Sequence, residues 1–220
     1  MDSGSTDNTE SIARRYSTRY EKRKWTGFSE QKNYGNELAQ SNWILSLDAD
    51  EEVTDRLRAE IETILSKPGE RAAFSVPRKT FYAGRWIRHG GWYPNRVVRL
   101  FDKRFGLWKD LPVHEYWHTD QIIEALKTDL NHFSFTGVAD QVERNNRYSS
   151  LGTMQLSQVG TPFSFSKMAF KPVLKFLETY IWKRGFLDGY LGLIISVSAS
   201  YSVFLKWAKL WELNEGETKN

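Results

Sequence analysis

The chain has 220 residues, a formal charge of +4 and no cysteine. This excludes disulfides, thiolate metal sites and a cysteine nucleophile, and so slight a charge, without a Lys/Arg block, gives no sign of nucleic-acid binding. At 40% hydrophobic and 15% aromatic, with nine Trp, it can bury the core of one domain of ordinary size plus an appendage.

The aromatic richness suits a sugar-stacking surface, a membrane interface or a Trp-rich core. Residues 1–30 are polar and hold no apolar stretch of the signal-peptide kind. In chain order, the polar turn Asp2-Ser3-Gly4-Ser5-Thr6-Asp7-Asn8-Thr9 leads into a helix over residues 9–17, with Ile12, Ala13 and Tyr16 on one face and Asp7 or Thr9 as cap. Residues 18–25 read as a short strand, and 29–41 as a helix capped by Ser29. Residues 42–47 read as a buried strand ending in Asp48-Ala49-Asp50-Glu51-Glu52, and 54–66 as an amphipathic helix with the stripe Leu57, Ile61, Ile64 and Leu65, stopped at Lys67-Pro68-Gly69. Strands follow at 72–76, 97–101 and 130–135. A Gly-, Trp- and Arg-rich loop or hairpin spans 81–95, a strand and loop 106–118, and a helix 138–153. Alternating strands and helices in the first half predict an α/β sheet flanked by helices.

After residue 160 the composition shifts. Residues 163–213 are bulky and apolar with interspersed Lys and Arg, and no charged residue falls between Gly189 and Leu205. That stretch is short for a span of about 20 apolar residues. Basic flanks and Trp182, Tyr190, Trp207 and Trp211 favour amphipathic helices lying in a membrane interface; the alternative is a helical cap on the α/β core. The predicted division is a domain over 1–160, membrane-associated amphipathic helices over 161–213 and a polar tail over 214–220.

An Asp-x-Asp after a buried strand sets two carboxylates at the carboxyl end of a sheet, where α/β proteins bind ligands. Such hard oxygens suit Mg²⁺ or Mn²⁺, which bind through one or two carboxylates plus substrate phosphates. Asp50 is the candidate metal ligand, and Asp48 would contact a ribose or a metal-bound water. Taken alone, the acidic run reads rather as a solvated helix N-terminus, since Asp50, Glu51 and Glu52 suit the start of the following helix.

The opening Asp-Ser-Gly-Ser-Thr-Asp-Asn-Thr, then Gln31-Lys32-Asn33 and Asn36, then Leu47-Asp48-Ala49-Asp50-Glu51 resemble the family 2 inverting glycosyltransferases of the GT-A fold. Gly90-Gly91-Trp92-Tyr93-Pro94, Arg99-Leu100-Phe101, Val113-His114-Glu115 and the tail from Lys183-Arg184-Gly185 to Lys206-Trp207-Ala208-Lys209 are similar to a bacterial branch, the lipopolysaccharide inner-core β-1,4-glucosyltransferases. The resemblance implies a GT-A Rossmann-like sheet that binds a nucleotide-diphospho-sugar, with Asp2, Ser3 and Asp48 on the nucleotide sugar and Asp50 on the metal. It places Glu115 or His114 as the acceptor-side base, or as a group helping to hold the diphosphate. A base is needed because an inverting transfer removes the acceptor hydroxyl proton as that oxygen attacks; a hydrogen-bonded loop histidine is the plain alternative for His114. Arg96 and Arg99 can clamp acceptor carboxylates or phosphates or form surface ion pairs. Trp92 can stack on a sugar or pack as core. The implied partners are a nucleotide-sugar donor, UDP-glucose first, a lipid-linked glycan acceptor and the membrane surface, with no nucleic acid. The implied location is peripheral, on the cytoplasmic face of the inner membrane.

Members of this family carry about 40 residues ahead of the Asp-Ser-Gly-Ser turn, the size of a βαβ unit: a first strand, its loop, a helix and a second strand. The chain is therefore expected to lack the first strands, to bind sugar nucleotide weakly and to fold marginally. The competing expectation is an inactive remnant that binds membrane or a partner through its tail. A sugar-phosphate nucleotidyltransferase would need a Gly-rich, Lys-containing phosphate loop near its start, which the sequence does not offer.

Overall fold

Polar side chains, more than apolar stripes, fix the first helices. A computed structural model describes residues 1–17, 19–67, 69, 71–110 and 115–218, the last three as backbone only. The chain divides into two compact units. One comprises Met1–Ser46, Arg71–Phe74 and Val98–Glu124, the other Leu47–Glu70, Ser75–Val97 and Ala125–Asn220.

In the first unit, α1 (Thr9–Tyr16) follows a turn in which the Asp7 carboxylate accepts from the Thr9 amide at 3.0 Å. Glu10 pairs with Arg14 one turn on, and Arg14 and Arg15 complement the negative end of the helix. None of its residues is buried. The strand expected over 18–25 is reduced, among the described residues, to one parallel bridge between Asp2 and Lys22. The charged run Arg19-Tyr20-Glu21-Lys22 has no apolar face that would hold a longer ladder.

Helix α2 spans Phe28–Leu38 and enters through Gly27 at φ +138°, a conformation open to glycine. Ser29 is therefore inside the helix, buried, and is not its cap; its amide lies 3.4 Å from the Asp110 carboxylate, an anion suited to a helix N-terminus. The Gln31 amide donates to the carbonyls of Arg23 and Lys24. Asn33 exchanges two 2.9 Å hydrogen bonds with the backbone of Trp108.

Strand β1 (Trp43–Leu45) runs antiparallel to Leu100–Asp102 of β5 (Asn95–Asp102). Strands β6 (Leu107–Asp110) and β7 (Glu115–His118) form an antiparallel pair. The core of this unit is Ala73, Phe101, Trp108 and Trp117, with Ile44 and Val98 against it, and Phe101 stacks on Trp117 at 3.8 Å. Burying each such aromatic contributes about 1.5–3 kcal/mol. Gly106 allows the close approach: a Cβ there would lie 2.3 Å from the His118 carbonyl oxygen.

In the second unit β9 (Leu130–His132) lies parallel to Arg78–Thr80 of β3 (Ala73–Tyr82) and antiparallel to β2 (Glu51–Val53), a mixed arrangement. Strand β4 (Arg85–Trp86) folds back on the end of β3. Strands β3 (Ala73–Tyr82), β5 (Asn95–Asp102) and β8 (Ile123–Ala125) are those in which the chain passes from one unit to the other. Strand β2 corrects the reading of the acidic run as a helix start: Glu51 and Glu52 are drawn into pairing with His132 and Asn131. Helix α3 (Asp55–Ser66) begins only after Thr54, whose hydroxyl accepts from the Leu57 amide at 3.2 Å. Leu57 and Ile61 of its stripe are buried.

Helix α4 (Val138–Gln158) runs one turn and more beyond the predicted end, and α5 (Phe165–Leu177) and α6 (Gly189–Thr218) follow. Two serines in the uncharged run bond to neighbouring helices. Ser198 accepts from Asn145 of α4, and Ser200 donates to the Pro172 carbonyl of α5. Lys209 of α6 donates to Asn146, Ser149 and Ser150 of α4. Gly192 presses against the turn before α6, where a Cβ would sit 1.7 Å from the Gly185 carbonyl oxygen. Tyr82, Ile87 and Ile195 centre the core of this unit, with Trp92 and Phe135 packed on it.

Candidate functional site

The turn Asp48-Ala49-Asp50 is closed by its neighbour Glu51. The Glu51 amide donates to the Asp48 carbonyl at 3.0 Å, and the Asp48 amide donates to the Glu51 carboxylate at 3.1 Å. The Glu51 side chain is fully buried and meets the Arg78 guanidinium at 3.2 Å. One carboxylate of the acidic run is thus a structural brace; Glu52 is exposed and accepts from Asn131, and Asp48 and Asp50 are the partly exposed pair.

Asp50 is held from both ends. Its carbonyl accepts from the Phe133 amide at 2.8 Å, and its carboxylate lies 3.3 Å from Nε2 of His132. Nδ1 of His132 is 3.3 Å from the Thr80 hydroxyl. A proton on Nε2 satisfies both contacts, with Thr80 donating to Nδ1. The imidazole hydrogen bond, with partial burial opposing it, holds the Asp50 carboxyl below the usual carboxylate range. A depressed pKa contributes stability that is present above the ordinary value of 3.8 and is lost as pH falls through the folded-state value. His132→Phe should therefore raise the Asp50 pKa toward 3.8, read from the carboxyl carbon shift in an NMR titration; an unmoved titration would remove His132 as the cause. Among the described residues no three His, Asp or Glu side chains gather as a protein-only metal cage.

In the first unit α2 carries two links on consecutive residues. The Gln31 amide reaches the Ser3 hydroxyl at 3.4 Å, and Lys32 Nζ meets Glu115 Oε1 at 2.6 Å. Lys32 also lies over the Trp108 ring at 4.5 Å, and the pair is shielded, with side chains 17% and 15% exposed. Ser3 and Glu115 are thus tied to one helix. Asp2 spends its carboxylate within the chain, accepting from the Ser5 hydroxyl at 2.5 Å, the Tyr20 hydroxyl at 2.8 Å and the amides of Gly4 and Ser5. Those bonds, that from Ser5 first, drive its pKa well below the carboxylate range. Burial, and then the bond to Asp2, push Tyr20 up to about 12.

The remaining candidates lie elsewhere. His114 falls outside the described residues. Arg99 is buried, 4% exposed. Arg96 is exposed and donates to the Leu126 carbonyl at 3.0 Å. Trp92 stacks on Phe135 at 5.1 Å and packs edge-on to Tyr82, so its ring is used in the core. Lys32, Arg78, Thr80 and His132 carry the geometry without having been assigned roles from the sequence. The available signal for His132 was its place two residues after Leu130 on a short strand, which puts both on one face.

The family model described as glycosyl transferase family 2 matches residues 1–126. An uncharacterised glycosyltransferase of Rickettsia typhi is 27% identical over 97% of this chain and 77% of its own length. LpsC of Rhizobium meliloti, a lipopolysaccharide core biosynthesis glycosyltransferase, is 27% identical over 96% of this chain and 81% of its own length. The mixed α/β architecture agrees with the GT-A fold that the sequence implied. With more than half its length under that model and these relatives along nearly all of it, the chain belongs to glycosyl transferase family 2 and is an enzyme of that family.

Proposed function

We propose that the enzyme moves glucose from a UDP-linked donor, with inversion, to a lipopolysaccharide-core or related cell-envelope glycan. The observation that carries this reading is the braced Asp48–Asp50 turn with its ionised Asp50, supported by the likeness to LpsC, whose name specifies lipopolysaccharide core biosynthesis. Asp48 takes the ribose or a metal-bound water, and Ser3 a donor contact beside Gln31. Asp2, whose oxygens are largely engaged, shapes the turn that presents Ser3.

The donor set fits a hard divalent ion, Mg²⁺ or Mn²⁺. Asp50 supplies an ionised oxygen ligand, and without a protein-only cage among the described residues the rest of the shell comes from diphosphate and water. When bound, the ion would offset the charge that builds on the departing diphosphate. His132 orients the Asp50 carboxylate. Glu115, aimed by Lys32, accepts the proton of the attacking acceptor hydroxyl; His114 is the other group that would serve. Of the three acceptor candidates, exposed Arg96 is the accessible contact; Arg99 is buried and Trp92 is packed on Phe135.

A peripheral place on the cytoplasmic face of the inner membrane is part of the same proposal. On α6, Tyr190, Val197, Tyr201, Phe204 and Trp211 are exposed, as are Phe170, Val173 and Leu174 on α5. The segment Gly185–Glu215 is also long and apolar enough to cross a membrane by length and composition.

The test is transfer by the purified enzyme across a panel of UDP-sugars and lipopolysaccharide-core acceptors, with and without Mn²⁺. UDP-glucose should be used with inverted product stereochemistry and only with the ion. Transfer from another sugar nucleotide alone, or full activity in chelator, would overturn the donor or the metal assignment respectively.

A further inference from the structure

The second unit holds a cleft that none of these roles uses. It has a volume of about 430 Å³ and is bounded by the loop of Arg88, Gly91 and Tyr93 on one side and by Trp182, Lys183 and Arg184 on the other. Its size falls in the range of small-ligand sites, about 300–1,000 Å³.

The two sides are pinned together. The Gly90 amide donates to the Lys183 carbonyl at 2.9 Å. The Asp188 carboxylate accepts from the amides of Arg88 and His89 at 3.2 and 2.8 Å, and lies 3.0 Å from Nδ1 of His89. Gly91, at φ +82°, lets the Lys183 stem lie across the loop, since a Cβ there would fall 2.8 Å from Lys183 Cδ. The walls are therefore set before any ligand arrives.

Their charge is one-sided. Lys183 is paired with Glu178, which Lys175 also contacts, and Asp188 is occupied by His89 and the backbone. Tyr93 donates to Asp129 at 2.9 Å. Arg88 and Arg184 are exposed, and neither guanidinium has a carboxylate partner among the described residues. Two guanidinium forks with no carboxylate partner among the described residues are matched to phosphate or carboxylate oxygens. Trp182, 71% exposed, adds a flat apolar face at the same cleft, of the kind on which a sugar ring stacks.

We propose that this cleft binds a sugar bearing a phosphate or carboxylate group, held by Arg88 and Arg184 and stacked on Trp182, as the anionic part of the acceptor. It rests on the transferase reading for the word acceptor; the binding itself does not.

The test is binding to the full chain of hexose 6-phosphate, hexuronate, free hexose and inorganic phosphate, by calorimetry and by Trp fluorescence, beside flotation with phosphatidylcholine vesicles containing phosphatidylglycerol. Wild type should bind the two anionic sugars, and bind free hexose and inorganic phosphate at least about tenfold more weakly, the worth of a charged hydrogen bond or a stacked ring. R88Q/R184Q should lose about tenfold or more for the anionic sugars, R88K/R184K should recover part of it, and Trp182→Ala should abolish the fluorescence change. Vesicle binding should be the same in wild type and R88Q/R184Q. In transfer assays R88Q/R184Q should raise KM for a phosphorylated acceptor and leave KM for UDP-sugar alone. Equal binding of the anionic sugars by wild type and R88Q/R184Q overturns the proposal, as does vesicle binding that falls with R88Q/R184Q while hexose 6-phosphate fails to bind, which would give the cleft to lipid headgroups. Because the binding arm needs no turnover, absence of transfer would count against the proposed function and leave the cleft to be judged by its own titrations.

Discussion

Asp50→Ala should lower transfer by about a hundredfold or more, the scale on which loss of one aimed charge at a developing anion is felt. The chain is expected to stay folded. The strand contact of Asp50 is made by its backbone, through the Phe133 amide, and the brace of the turn is Glu51, not Asp50. Asp50→Asn separates charge from shape: it keeps the reach toward His132 and removes the anion. If the carboxylate acts as a metal ligand, both variants should show equal losses of kcat and a weakened Mn²⁺ dependence, with thermal melts close to wild type. Turnover of Asp50→Asn within about threefold of wild type would take Asp50 out of the chemistry. Glu51→Gln is the contrast. Its loss should appear mainly as a lower melting temperature, because it leaves Arg78 beside a buried neutral group and loosens the turn.

That contrast marks where the sequence could be read and where it could not. Periodicity and turn residues placed α3, its Thr54 boundary and the strands leading into Asp48 and Arg99 to within a few residues, because each depends on local pattern. The carboxylates of Asp48-Ala49-Asp50-Glu51-Glu52 look alike in one dimension. Their separation into brace and exposed pair comes from Arg78 on β3 and His132 on β9, which lie 27 residues beyond Glu51 and 82 beyond Asp50 and meet them through sheet pairing. The same holds for Glu115, whose Lys32 partner is 83 residues away. Nor could composition tell that Trp92 would stack on Phe135 while Trp182 stays exposed. Nor does the uncharged stretch of α6 reveal in one dimension that Ser198 and Ser200 would find hydrogen-bonding partners on α4 and α5.

Glu115→Gln carries the second large effect. A general base contributes about 10²–10⁴-fold, and the amide cannot accept the proton at ordinary pH. The substitution keeps an oxygen for Lys32, so α2 and β7 should stay in register, with Asp110 still opposite residue 115. The expected result is a fall in kcat/KM for the acceptor of about a hundredfold or more with UDP binding unchanged by calorimetry. Lys32→Met should act more weakly, by about tenfold, because it leaves the base present but no longer aimed, and because the Lys32 stem and its cation over Trp108 are replaced by apolar packing. A double variant would then lose little more than Glu115→Gln alone, as expected when one residue works through the other. Were Glu115→Gln to retain near wild-type turnover while His114→Gln did not, the proton would pass to His114, and Lys32–Glu115 would be a shielded ion pair that fastens β7 to α2.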